Sequence, residues 1–114
     1  MLSETEVVAD LKSTRLLGNY PNPFNPTTTI KFRIENSELR IEGRGESITS
    51  VKIEIFNIKG QKLRSLVNGD YREGEHSVIW NGTDDHNSPV TSGIYFYRLT
   101  TDNYTETKKM VLIK

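Results

Sequence analysis

Ser92-Gly93-Ile94-Tyr95-Phe96-Tyr97-Arg98-Leu99 is a run of β-branched and aromatic residues that opens on a glycine and closes before Thr100-Thr101-Asp102-Asn103. Side chains alternate across a sheet, so Tyr95, Tyr97 and Leu99 share one face and Ile94 and Phe96 the other. Apolar surface on both faces predicts a strand inside a sheet, because an edge strand rarely offers it. The rest of the chain is read outward from this strand.

Size and charge narrow the possibilities. A chain of 114 residues fits one domain that buries about two thirds of its unfolded surface, enough for a core without covalent staples. With no cysteine, disulfides, cysteine-rich zinc sites and thiol nucleophiles are excluded together. Fifteen Lys and Arg residues balance fifteen Asp and Glu; such a chain has no global field to gather phosphates, and nucleic acid is not an expected partner. No apolar run approaches the roughly 20 residues of a membrane span, and Met1-Leu2-Ser3-Glu4 lacks the basic start and apolar middle of a signal peptide. The expectation is a cytosolic protein or a piece of something larger.

Along the chain, Ser3-Glu4-Thr5-Glu6 fits a capping box before Val7, Val8 and Leu11, so residues 1–15 read as a linker or a short helix. Leu16 to Pro26 holds three prolines in six residues and predicts a rigid shaped loop. Tyr20 and Phe24 are expected to pin it to the domain, with Asn19, Asn22 and Asn25 bonding backbone groups. The irregular proline spacing favours a structural loop over a polyproline ligand for another protein.

Thr27 to Ile34 alternates cleanly and predicts a half-exposed first strand with Thr28, Ile30, Phe32 and Ile34 inward. Glu35 to Ser47 reads as a long loop or small hairpin. Val51 to Asn57 is a strand with Val51, Ile53 and Ile55 inward, turning at Ile58-Lys59-Gly60-Gln61 into Leu63 to Val67. Asn68-Gly69-Asp70 and Glu73-Gly74-Glu75 read as turns around Tyr71, and His76 to Trp80 as a strand with Val78 and Trp80 on one face. Tyr104 to Ile113 pairs on the central strand. About seven strands at this spacing predict an antiparallel β-sandwich with Trp80 at the core, and Gly-x-Tyr-x-Tyr resembles the tyrosine corner of immunoglobulin-like domains. Tyr95 would be the anchor and Tyr97 the inward residue. The expected core is Ile30, Val51, Ile53, Ile55, Val78, Trp80, Tyr95 and Tyr97.

Chemistry has few candidates. Asp84-Asp85-His86-Asn87, with Asn81 nearby, puts several oxygens on one loop, which suits calcium better than zinc. The loop lacks the alternating acids and distal glutamate of a calcium hand, and Asn, Asp and Ser are ordinary turn residues. The expectation is no metal. His76 and His86 have no nucleophile motif beside them, and no glycine-rich loop has phosphate-cradle spacing, so no cofactor and no catalysis are expected. Lys108, Lys109 and Lys114 close the chain on a strand, as a solvated edge or as a surface that a partner reads.

Several stretches together resemble a family. Asn19-Tyr20-Pro21-Asn22-Pro23-Phe24-Asn25-Pro26-Thr27-Thr28 is similar to the opening of the type A C-terminal sorting domain of the type IX secretion system of Bacteroidetes and related bacteria. Ile55 to Lys62, Gly74 to Gly82, Ser92 to Leu99 and Lys108 to Lys114 resemble its later segments, in the same order. Two departures are the long Glu35 to Ser47 connection and Asn87 where a glycine is common. The resemblance implies an immunoglobulin-like domain, residues 16–114, behind an N-terminal cargo domain. It also implies recognition by an outer-membrane translocon and its associated sorting peptidase, followed by release or attachment at the cell surface.

Within that reading the signal is expected on Lys108, Lys109, Met110, Val111, Leu112, Ile113 and Lys114, with the free edge of the last strand open to pairing. The alternative is a structural or binding module: a fibronectin-like spacer, a carbohydrate-associated sandwich, or the related sandwich of the flagellar hook-cap protein.

Overall fold

A computed structural model describes residues 13–35 and 48–114. The sequence expectations for the capping-box segment and for most of Glu35 to Ser47 fall outside those residues. The described part is all β: β1 (Arg15–Tyr20), β2 (Thr28–Ile34), β3 (Ile48–Asn57), β4 (Lys62–Arg72), β5 (Gly74–Trp80), β6 (Gly93–Thr101) and β7 (Tyr104–Leu112). They form two antiparallel sheets, ordered β1-β2-β5 and β4-β3-β6-β7. This is an immunoglobulin-like sandwich, with β6 between β3 and β7 as its two apolar faces require.

Alternation places the core. Thr28, Ile30, Phe32 and Ile34 of β2 face Val51, Ile53 and Ile55 of β3 and Tyr95, Tyr97 and Leu99 of β6, all buried. Trp80 is fully buried, its ring centroid 5.8 Å from that of Phe24 and 5.6 Å from that of Tyr95. Its indole Nε1–H donates to the Thr83 carbonyl at 2.8 Å, so the polar end of this large side chain is satisfied. The Tyr95 hydroxyl donates back to the Thr91 carbonyl, which is the tyrosine-corner bond. Tyr97 points inward two residues on, as the spacing predicts.

Five expectations need correction. Arg15–Tyr20 is a strand, and Arg15 belongs to it rather than to a linker; the shaped loop begins only at Pro21. A bulge between Leu16 and Gly18 breaks the alternation, and Gly18, at φ 122°, supplies backbone that other residues avoid, so no period-2 signal survives. Thr28–Ile34 is accordingly the second strand and the middle one of its sheet. β4 runs straight through Asn68-Gly69-Asp70 to Arg72, because the ten-residue β3 pairs with it along that length and overrides local turn preference. Val78 is only half-buried, since it lies on β5 at the edge of its sheet. Tyr20 pins nothing: its side chain is 81 % exposed, whereas Phe24 is 2 % exposed.

Candidate functional site

The last strand and the proline loop hold each other. β7 is an edge strand, so one side of its backbone is free of β6. Near the chain end that side is taken. The Val111 N–H donates to Asn22 Oδ1 at 3.0 Å, the Phe24 N–H donates to the Val111 carbonyl at 3.0 Å, and the Ile113 N–H donates to the Phe24 carbonyl at 2.9 Å. The Lys114 N–H is caught by Ser92 Oγ at 2.9 Å. Sequence logic requires such a loop to be shaped by its prolines, and Tyr20-Pro21, Asn22-Pro23 and Asn25-Pro26 are all cis. Phe24 enters the core beside Trp80, which fixes the loop against the strand.

The expected free edge is therefore corrected in its carboxyl-terminal half. Backbone groups alternate in direction along an antiparallel strand, so those of Thr105, Thr107 and Lys109 face the same way as those of Val111. Among the described residues they have no partner outside the sheet. The edge is closed at Val111–Ile113 and open from Thr105 to Lys109.

The seven terminal residues do not share one surface. Met110 and Leu112 are core residues with no exposure. Val111 and Lys109 lie on the outward face of the four-stranded sheet, and Ile113, 51 % exposed, continues their parity. Lys108 lies on the other face, at the seam with β1, with its Nζ 3.6 Å from Glu106 Oε2. Lys114 sits apart at the chain end.

Glu106 organises that seam. Its Oε1 accepts the Leu16 N–H at 2.7 Å and the Tyr104 hydroxyl at 3.0 Å, so a carboxylate on β7 satisfies an otherwise open amide of β1. Burial, and then Glu106, push the Tyr97 phenol up to about 12. Burial and the hydrogen bond to Glu106 raise Tyr104 as well. The Tyr97 hydroxyl donates to Asn19 Oδ1 at 3.1 Å, and Asn19 Nδ2 donates to Thr28 Oγ1 at 3.1 Å. Neither Glu106 nor Asn19 stands out in the sequence for this role, because the bonds join residues 90 and 78 positions apart.

The acidic loop is tied up in its own turn. Asp84 Oδ1 accepts the N–H groups of His86 at 2.9 Å and Ser88 at 3.0 Å, and these bonds, that from Ser88 foremost, hold its carboxyl below the usual value. Asp85 Oδ1 accepts the Ser65 N–H at 3.1 Å, and Asn81 Oδ1 accepts the Thr83 hydroxyl at 2.6 Å. The guanidinium of Arg64 enters the loop and donates to the Asp84 carbonyl at 2.6 Å and to Thr83 Oγ1 at 3.2 Å. Asn87 has φ 63°, the left-handed region that asparagine tolerates best after glycine, which accounts for that departure from the family pattern.

Comparison with solved structures brings out two proteins of Porphyromonas gingivalis. Dimeric latent PorU aligns with a TM-score of 0.61 and 19 % identity over 88 % of this chain and 9 % of its own. PorZ, described as an essential bacterial surface component of the type IX secretion system, aligns with a TM-score of 0.51 and 19 % identity over 93 % of this chain and 12 % of its own. The chain thus spans about a tenth of either protein, and the likeness is one of fold. A search of curated proteins finds no match. The FlgD Ig-like domain matches residues 27–104, so the proline loop lies just before the match and all of β7 but its first residue lies after it. That span is more than half of the chain, which belongs to the FlgD Ig-like domain family.

Proposed function

We propose that this domain is a non-catalytic C-terminal sorting domain of type A, which directs a larger exported protein through the type IX secretion system to the cell surface or medium. The observation that carries the reading is the clamp between Asn22-Pro23-Phe24 and Val111-Leu112-Ile113. Two of the stretches that resemble the sorting family, the first and the last, stand at opposite ends of the domain in sequence, and the fold joins them into one structure. The likeness to domains of PorU and PorZ supports the same assignment.

The partners on this reading are an N-terminal cargo domain, the outer-membrane translocon and the associated sorting peptidase. Membership of the FlgD Ig-like domain family favours a second reading, a structural module of an extracellular protein. Export separates the two. Residues 16–114 fused behind a passenger with an export signal should reach the medium or surface of a bacterium that has this system. A folded, intact fusion that stays in the periplasm would leave only the structural module.

The triple variant Lys108→Gln, Lys109→Gln, Lys114→Gln then tests the terminal lysines. It should keep the fold, because Lys109 and Lys114 are exposed and the half-exposed pair of Lys108 with Glu106 is worth about 1 kcal/mol at most, and it should lose export. Export equal to that of the parent fusion would remove these lysines from the signal.

A further inference from the structure

We propose that the outward face of the four-stranded sheet is a docking surface for an extended acidic segment of a partner protein. The register aligns Lys62, Phe56, Phe96 and Lys109 in one row across β4, β3, β6 and β7. Two half-buried aromatic rings therefore lie between two exposed lysines. Beside them Ile94, 37 % exposed, faces Val111. A solvated antiparallel face is ordinarily polar throughout, so an apolar strip fenced by cations marks a surface with a use.

Charge identifies the occupant. On a chain of balanced charge, this face carries Lys52, Lys62, Arg72, Arg98 and Lys109 against Glu54 and Asp70. Glu54 is already engaged, by Lys62 at 3.5 Å and by Arg98 at 3.3 Å. Lys52 and Lys109 have no ion-pair partner among the described residues. The Arg98 guanidinium, already bonded to Glu54, also lies 4.4 Å from the centre of the Phe56 ring, which leaves Lys52 and Lys109 as the cations free to meet a partner.

Spacing sets the pattern. Lys62 and Lys109 are three strand steps apart, about 14 Å at roughly 4.8 Å per step. An extended segment rises about 3.3 Å per residue and shows alternate side chains to one face, so residues i and i+4 span about 13 Å. The complement is acidic-x-apolar-x-acidic, crossing the strands with its apolar residue on Phe96, beside the Phe56 ring that Arg98 covers. A bilayer surface fits less well, because the rings are half-buried instead of projecting and Glu54 lies among them.

This goes beyond the sorting reading; Lys109 enters both, but peptide binding by the isolated domain and export of a fusion are separate readouts, so the two fail separately. The test is a titration of the isotopically labelled 114-residue chain with the capped peptide Gly-Glu-Ser-Leu-Ser-Glu-Gly, followed by amide shifts. Shifts should concentrate at Phe56, Lys62, Phe96 and Lys109, and binding should weaken with added salt. Lys109→Glu should weaken it about tenfold and Lys62→Gln about threefold, with melting unchanged; such losses are ordinary for charges at a docking rim. The proposal is overturned by no binding, by shifts elsewhere, by equal binding of the peptide with lysine in place of glutamate, or by variants that bind as the parent does. Preferential binding of phosphatidylglycerol vesicles through these same residues would overturn it in favour of a lipid surface.

Discussion

Asn22 and Val111 lie 89 positions apart in sequence and are joined by a single hydrogen bond of 3.0 Å, from the Val111 N–H to the Asn22 side-chain carbonyl. With the two backbone bonds of Phe24 it turns an edge strand into one that is partly paired. Asn22→Ala removes one of the three bonds and leaves the amide to water, so the expected cost is about 0.5 to 1.5 kcal/mol in urea denaturation. Hydrogen exchange at Val111 should quicken more than exchange at Met110, whose amide faces β6. Equal effects at both amides would mean that Asn22 does not hold the strand locally.

Trp80 has no exposed surface and touches the rings of Phe24 and Tyr95. Trp80→Ala should cost about 3 to 5 kcal/mol, a large part of the stability of a domain this size. A loss under about 1 kcal/mol in chemical denaturation would contradict its place at the centre of the core.

These two residues differ in how far the sequence discloses them. A lone tryptophan ending an apolar alternation is a core residue by composition, and β2, β3 and β6 were legible for the same local reason: their inward residues recur every second position. β1 was not, because its bulge at Leu17 breaks the period, nor was the length of β4, which β3 imposes from outside. The terminal strand could be named from its resemblance to a family. Its clamp could not, since a bond between Asn22 and Val111 leaves no periodic trace in either segment. The same holds for Glu106, whose partner Leu16 lies on the first strand.

Tyr97 makes the domain sensitive to alkali. Its folded value is about 12 against 10 for the unfolded phenol, so the folded state holds the proton more tightly than the unfolded chain does. The contribution is complete below pH 10 and is lost as pH rises through about 12. Denaturant midpoints should fall across that window. Tyr97→Phe should flatten the fall without abolishing it, because Tyr104 is raised in the same direction. An unchanged slope in the variant would assign the sensitivity elsewhere.

Folding should be indifferent to calcium. Asn81 Oδ1, Asp84 Oδ1 and Asp85 Oδ1 accept from the loop's own hydroxyl and N–H groups and from the Ser65 N–H, while the Arg64 guanidinium takes the Asp84 carbonyl and Thr83 Oγ1. Excess chelator and added calcium should give the same melting temperature. A rise of several degrees with calcium would mean that the folded state binds it, since only a ligand selective for that state can stabilise it.

Gly82 is where the tryptophan strand meets the proline loop. It has φ 78°, and a Cβ built there would lie 3.1 Å from the Pro26 carbonyl oxygen and 3.6 Å from the Pro26 Cβ. Gly82→Ala therefore carries two costs: left-handed strain of about 1 to 2 kcal/mol, and displacement of Pro26. Pro26 is two residues from Phe24, whose backbone brackets β7, so the displacement should loosen the clamp as well as lower stability. Gly69→Ala is the control, because Gly69 lies inside β4 with no positive φ and nothing within 4 Å of its Cβ position. The expected result is a drop of at least about 1 kcal/mol for Gly82→Ala, with faster exchange of the Phe24 and Ile113 amides, and neither effect for Gly69→Ala. If Gly82→Ala loses stability while those two amides exchange as before, the strain stays in the loop and the clamp is independent of Gly82.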